Sequence, residues 1–113
     1  MKIPKEGKLL RIFIGEADKW QGKPLYEAIV LLARKNGLAG ATVVKGSMGF
    51  GCKSHLHTSK LLELSSDLPI IIEIVDSEEK INQFLPSLDE MVKEGLITLE
   101  KVNVLMYRAN QSQ

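Results

Sequence analysis

The sequence predicts an α+β fold, a ferredoxin-like βαββαβ sandwich in which an antiparallel four-stranded sheet carries two helices on one face. Three observations predict it. Four apolar or β-branched runs are typical of strands, two other segments carry apolar residues at helical spacing, and the segments follow the order strand, helix, strand, strand, helix, strand. A split βαβ sandwich satisfies this order.

The first half of the chain predicts a strand, a helix and a second strand. Residues 9–14 (LLRIFI) form a short apolar run that is typical of a buried strand. Residues 24–33 carry apolar side chains at intervals of three and four, which predicts a helix that ends at Asn36 and Gly37. A short second strand is expected over residues 40–44.

The second half predicts a clearer strand, a longer helix and a last strand. Residues 69–75 are nearly all β-branched, which indicates a central strand covered on both faces. Asp76 and Glu79 match a capping box at the start of the second helix. A kink or break is expected at Pro86, inside the helical pattern. Residues 97–107 alternate imperfectly, as expected of a strand near an edge.

Length and composition indicate a single domain, residues 1–113. A chain of 113 residues is normally large enough for a core without metals or disulfides. Its 15 Lys and Arg nearly balance its 14 Asp and Glu, so bulk attraction to nucleic acid is not indicated. One cysteine allows no internal disulfide, and neither a signal peptide nor a membrane-spanning run is visible. We therefore expect a cytoplasmic protein without membrane insertion.

The connection between the second and third strands, about residues 46–68, is too long for a hairpin turn. Long connections in compact domains are usually functional or disordered. It begins GSMGFGCK, where glycines at 46, 49 and 51 let the backbone present N–H groups to an anion. The stretch is neither a Walker loop nor a GxGxxG motif. A bulge and tight turn at a strand end is the alternative interpretation.

Cys52, His55 and His57 form the pattern C-x-x-H-x-H in the same connection. Thiolates and imidazoles bind zinc and copper, but a structural zinc site has four ligands and the chain has no other Cys or His. A carboxylate or a neighbouring subunit would have to complete the site. The alternative is that the histidines form hydrogen bonds or face a ligand. Neither Cys52 nor any serine lies in a recognisable hydrolase motif, so we do not expect an enzyme. An enzyme whose site forms only between subunits is the remaining alternative.

Charged residues near the first strand raise two further points. The turn at residues 15–23 (GEADKWQGK) has mixed charges, and we interpret it as a solvated turn over which Trp20 packs. Arg11 and Glu73 lie inside predicted strands, where they could pair within the sheet or face an edge or a subunit interface.

Three segments resemble the uncharacterised bacterial and archaeal family called domain of unknown function 190. They are GLAGATVVKGSMGFG, HLHTSKLLELSSDLPIIIEIVD and LPSLDEMVKEGLITLEKV, and the resemblance runs from about Leu9 to Tyr107. This family is similar in turn to the PII signalling proteins, which are ferredoxin-like trimers with a long loop between the second and third strands. The resemblance implies a PII-like homotrimer that senses an anionic metabolite or nucleotide in a cleft between subunits.

The resemblance also implies a binding site at the loop base, where PII proteins carry a GFG motif. The expected ligand-binding residues are Gly49, Phe50, Gly51, Lys53, His55 and His57. The glycine-rich loop that precedes the last strand of PII proteins is reduced here to Gly95, so ATP binding in the PII manner is not implied. The sequence identifies no cofactor.

Two functional hypotheses follow from the resemblance. In the first, the loop orders when the ligand binds and then presents a surface to a regulatory protein partner. In the second, the protein is a divalent-metal-binding trimer, similar to the copper-tolerance proteins that share this architecture, with Cys52, His55 and His57 as ligands.

Overall fold

The predicted order of elements is present in the computed structural model, which describes residues 5–51 and 67–109. The elements are β1 Glu6–Gly15, β2 Lys19–Trp20, β3 Lys23–Pro24, α1 Leu25–Lys35, β4 Thr42–Lys45, β5 Pro69–Asp76, α2 Glu78–Met91 and β6 Leu96–Asn103. The small hairpin of β2 and β3 was not predicted. Neither helix of the described residues is long and apolar enough to cross a membrane.

The main sheet has the strand order β4-β5-β1-β6, and every neighbouring pair is antiparallel. β1 is central and pairs with β5 from Lys8 opposite Asp76 to Gly15 opposite Pro69. On its other side, residues 6–13 of β1 pair with β6. The predicted ferredoxin-like α+β fold is therefore confirmed.

One face of the sheet and both helices form the hydrophobic core. Every second side chain along β1 and β5 is buried, because successive side chains of a strand point to opposite faces of the sheet. The core residues of these strands are Leu10, Ile12, Ile14, Ile70, Ile72 and Ile74, and they share one cluster with Ile29, Ile81, Phe84 and Leu88 of the helices. Burial of each such side chain contributes roughly 1.5–3 kcal/mol to folding.

The other face of the sheet is open among the described residues, so the prediction that β5 is covered on both faces is wrong for this chain taken alone. Ile71, Glu73 and Val75 are half-buried, whereas the β5 residues between them are buried. The reason is that α1 and α2 lie on the same side. The strand residues of this open face are Leu9, Arg11, Phe13, Thr42, Val44, Ile71, Glu73, Val75, Leu96, Thr98 and Glu100.

Helix α2 begins with Ser77 as its N-cap, so the predicted capping box of Asp76 and Glu79 is wrong. The Ser77 hydroxyl oxygen accepts the N–H of Lys80 at 3.2 Å. Asp76 is instead the last residue of β5 and is buried. Its carboxylate accepts the N–H of Ser77 at 2.7 Å and that of Ala39 at 2.8 Å, which ties the turn after α1 to the start of α2.

Pro86 does not divide α2, which runs unbroken from Glu78 to Met91. The buried side chains on either side of it, Phe84 and Leu88, lie on one helical face and pack into the same core. This packing offsets the roughly 3 kcal/mol that an internal proline costs a helix. The predicted break is therefore wrong, and the alternative of a kink stays a prediction.

The first and last strands of the chain differ from the prediction mainly in their bounds. β1 begins at Glu6 rather than at residue 9, and β6 ends at Asn103 rather than at residue 107. β6 is an edge strand, as predicted. Beyond it, the Tyr107 hydroxyl donates to the Ala39 carbonyl at 3.3 Å.

Candidate functional site

A cavity of about 320 Å³ lies where β1 ends and β6 begins. Its walls come from the end of β1 with the turn after it, the two ends of the β4–β5 connection, and the turn into β6. The described lining residues are Phe13, Ile14, Gly15, Asp18, Gly49, Phe50, Gly51, Asp67, Pro69, Glu94, Gly95 and Leu96. Small-molecule sites have volumes of roughly 300–1,000 Å³, so the cavity can hold a small metabolite.

The structure brings the glycine–phenylalanine–glycine part of the predicted site to this cavity. Gly49, Phe50 and Gly51 all line it. The other predicted ligand-binding residues, Lys53, His55 and His57, lie outside the described residues. So does Cys52, and with it the whole predicted metal site. The binding roles of all these residues stay predictions.

Two glycines let the start of the connection pass closely over the ring of Pro69. A Cβ on Gly46 would lie 2.7 Å from Pro69 Cγ, and a Cβ on Gly49 would lie 3.1 Å from the same atom. The Gly46 N–H also donates to the Pro69 carbonyl at 2.8 Å. The glycine pattern therefore serves close packing at the strand end, and it also builds one wall of the cavity.

Phe50 is an exposed aromatic residue on that wall. Its exposed fraction is 70%, although a large apolar side chain normally gains free energy by burial. Met48, two residues earlier, is 73% exposed but does not line the cavity. Phe50 therefore offers an accessible ring beside the cavity, in a position suited to a planar ligand.

Gly95 forms the opposite wall, in the turn that leads into β6. Its φ is +154°, and a Cβ at this position would lie 2.7 Å from the Phe13 carbonyl oxygen. That neighbour is backbone and cannot rotate away. Only glycine lets the turn lie this close to β1, so the one glycine that the sequence retains before the last strand shapes the cavity.

Carboxylates of the turn after β1 and of the end of the β4–β5 connection line the cavity and were not predicted as site residues. Asp18 was placed in a solvated turn, which is wrong: it is 8% exposed, and its Oδ2 accepts the Gly15 N–H at 2.9 Å. Asp67 Oδ1 accepts the Ala17 N–H at 2.8 Å. Sequence pattern contains no signal that these residues converge, because they belong to segments about fifty positions apart.

The charged residues that line the described part of the cavity are all acidic: Asp18, Asp67 and Glu94. The rest of this lining is glycine backbone and apolar side chains. An anionic group is stabilised by backbone N–H groups and disfavoured beside carboxylates. If the ligand is an anion, its charge should therefore lie away from these carboxylates.

A separate ionic cluster lies on the open face of the sheet. Arg11 Nε donates to Glu73 Oε2 at 2.9 Å, and Arg11 Nη1 donates to Glu100 Oε1 at 2.9 Å. The pair that the sequence suggested is thus present, with a second carboxylate added. The hydrogen bond from Arg11 to Glu73 and the charges of both carboxylates raise the pKa of Arg11.

The comparison with known sequences supports the resemblance. Residues 7–104 match the family called domain of unknown function 190, described as an uncharacterised ACR family. A UPF0166 protein of Aquifex aeolicus (strain VF5) is 43% identical over 105 residues, which are 93% of this chain and 98% of that protein. A UPF0166 protein of Methanocaldococcus jannaschii is 40% identical over 100 residues, which are 88% of this chain and 92% of that protein.

Solved structures of PII-like proteins share the fold. One is CPII of Thiomonas intermedia K12, a nitrogen regulatory PII-like protein bound to ADP, AMP and bicarbonate. It has a TM-score of 0.63 at 19% sequence identity, and the match covers 91% of this chain and 97% of the CPII chain. A candidate PII-like signalling protein of Thermus thermophilus has a TM-score of 0.55 at 20% sequence identity. The match covers 88% of this chain and 87% of that protein's chain. The PII-like form of the fold is confirmed.

Proposed function

The chain belongs to the domain of unknown function 190 family, and we propose that it is a homotrimeric PII-like sensor of a small anionic ligand. The observation that carries this proposal is the cavity at the loop base, because Gly49, Phe50 and Gly51 line it together with Gly95. These are the segments that the resemblance to PII proteins singled out. We infer that a ligand in this cavity controls the β4–β5 connection and through it a protein partner.

The ligand that fits the described lining best is a nucleotide with few phosphate groups. Phe13, Phe50 and Leu96 supply apolar surface for a planar ring, and the glycine backbone at 49 and 51 supplies space for an anionic group. Since one glycine precedes β6 where PII proteins have several, fewer phosphate contacts are available than ATP would use. The ADP and AMP bound by the Thiomonas protein make these nucleotides the first probes.

The open face of the sheet is the surface that we propose the other subunits cover. Its apolar members include Val44 and Leu96, which are exposed, and Phe13 and Ile71, which are half-buried. Contact with further copies would bury them, and it would account for the β-branched residues of β5 on both faces. The cavity borders this face through Phe13 and Leu96, so a neighbouring subunit would complete its wall.

Native mass spectrometry of gently purified protein without a His tag tests this proposal. We expect a complex of roughly 38 kDa, three times the chain mass of 12.6 kDa, and in part of the population an added organic mass. Isothermal titration calorimetry with AMP, ADP and ATP then ranks the nucleotides. A monomer that binds none of them would contradict the proposal, and a metal-sized mass increment would favour the site of Cys52, His55 and His57 instead.

A further inference from the structure

The turn after β1, residues 15–18, contacts both ends of the β4–β5 connection. Lys45 is the last residue of β4, and its Nζ lies 2.8 Å from Glu16 Oε2. At the other end of the connection, the Glu16 N–H donates to the Leu68 carbonyl at 2.8 Å. The same residue therefore holds the start of the connection by its side chain and the end by its backbone.

This turn and Asp67, at the end of the connection, form one wall of the cavity. Gly15 and Asp67 both line it, and Asp67 accepts the N–H of Ala17. A Cβ on Gly15 would lie 2.8 Å from Asp67 Oδ1, so the two segments are in close contact. The hydrogen bonds from Ala17 to Asp67 and from Glu16 to Leu68 therefore hold the two segments together.

The wall formed by residues 46–51 is attached to the rest of the cavity by several contacts near its start. Gly46 and Gly49 pack over the ring of Pro69, the Gly46 N–H donates to the Pro69 carbonyl, and Lys45, just before the wall, pairs with Glu16. The two side chains of the pair are 53% and 32% exposed. The hydrogen bond to Glu16 raises the pKa of Lys45, so the ammonium is charged at neutral pH. Exposed pairs of this kind are modest in strength and are screened by salt.

We propose that Lys45 and Glu16 are positioning residues for the cavity, and that their ion pair holds residues 46–51 in the arrangement that binds ligand. The inference rests on the proposed function. Without the pair, a smaller fraction of the molecules has that arrangement. The measured affinity falls in proportion to this fraction. Because exposed ion pairs are weak, we expect the affinity for AMP to fall by about two- to fivefold.

Four variants test the pair. Lys45→Gln and Glu16→Gln each remove one charge, and the double variant Lys45→Glu with Glu16→Lys exchanges the two charges. The control is Lys101→Gln, which removes a lysine opposite Lys8, at the far end of β1 from the cavity. Two quantities are measured: amide hydrogen exchange of residues 46–51 in ligand-free protein, and AMP affinity by calorimetry.

We expect faster exchange and about two- to fivefold weaker AMP binding in both single variants. The charge-exchanged variant should recover both, the control should match the wild type, and concentrated salt should make the wild type behave like the single variants. Unchanged exchange in both single variants would overturn the inference, whether or not AMP binds. If the wild type binds neither AMP nor ADP but exchange still depends on the pair, the nucleotide proposal fails while the positioning role is supported.

Discussion

Arg11 lies directly opposite Glu73 across the β1–β5 pair, and its Nε donates to that carboxylate at 2.9 Å. Glu100 binds the other side of the guanidinium, so one cation stands between two carboxylates in the middle of the open face. Apolar rows flank this cluster on both sides. If neighbouring subunits cover the face, the guanidinium compensates two carboxylates that would otherwise be buried without a partner.

Replacement of Arg11 by methionine should therefore weaken the proposed trimer. We expect the protein concentration at which the trimer dissociates to rise by at least about tenfold, because two carboxylates would remain at the interface without a counter-charge. Size-exclusion chromatography with light scattering, over a range of concentrations, measures this. The control is Arg34→Met, in the last turn of α1 on the other side of the sheet. An Arg11→Met protein that dissociates like the wild type would contradict assembly through the open face.

The Arg11 cluster should not respond to a rise from neutral to mildly alkaline pH. The pKa of Arg11 is raised in the folded protein, so its stabilising effect is fully present below the unfolded-state pKa. It is lost only as the pH rises through the still higher folded-state pKa. Light scattering at the two pH values should give the same mass, and dissociation at mildly alkaline pH would show that another group controls assembly.

Removal of the Phe50 ring should weaken nucleotide binding. Stacking of a base on an aromatic side chain contributes roughly 1–3 kcal/mol, so Phe50→Ala should lower AMP affinity by about tenfold. Met48→Ala is the matched control, since Met48 is similarly exposed in the same segment but does not line the cavity. Calorimetry measures the AMP affinity of both variants. Equal affinities for the two variants would remove the ring of Phe50 from the proposed site.

Gly95→Ala should destabilise the fold by about 1–3 kcal/mol, because the new Cβ meets the Phe13 carbonyl and the backbone has positive φ. Thermal and urea unfolding measure the change. Gly40→Ala is the control: its Cβ would meet no atom within 4 Å, so a change within about 0.5 kcal/mol is expected. If Gly95→Ala proved as stable as Gly40→Ala, the turn before β6 would relax easily around the new Cβ.

Asp76→Asn should cost about 2–3 kcal/mol of folding free energy, although the two side chains have the same shape. Both carboxylate oxygens accept backbone N–H groups, and an amide would turn its NH₂ toward one of these donors. Asp89→Asn, on the exposed side of α2, is the control for loss of one negative charge. Urea unfolding distinguishes the two, and similar midpoints would indicate that the turn at Ala39 shifts to satisfy the amide.

The sequence predicted the sheet and the helices because these depend on local pattern. β-branched runs and helical spacing identify the elements. The resemblance to PII proteins singled out residues 49–51 as the loop base, since the glycine pattern alone also fitted a tight turn. Pattern failed at Asp76 because Asp76 and the next residue, Ser77, can both accept a hydrogen bond at the start of a helix. Ser77 caps α2, since the Asp76 carboxylate accepts the Ala39 N–H instead. It failed at Asp18 because burial depends on what packs over a turn.

The sequence by itself determined the fold, since the alternation of apolar residues leaves few ways to bury them in a chain of 113 residues. It also determined where the connection between β4 and β5 begins, because glycine and proline have strong local effects. Only the tertiary structure decided that residues 49–51 line one cavity with Gly15, Asp67 and Gly95, and that Lys45 pairs with Glu16. Such contacts join distant segments, and their geometry follows from the packing of the whole sheet rather than from any local pattern.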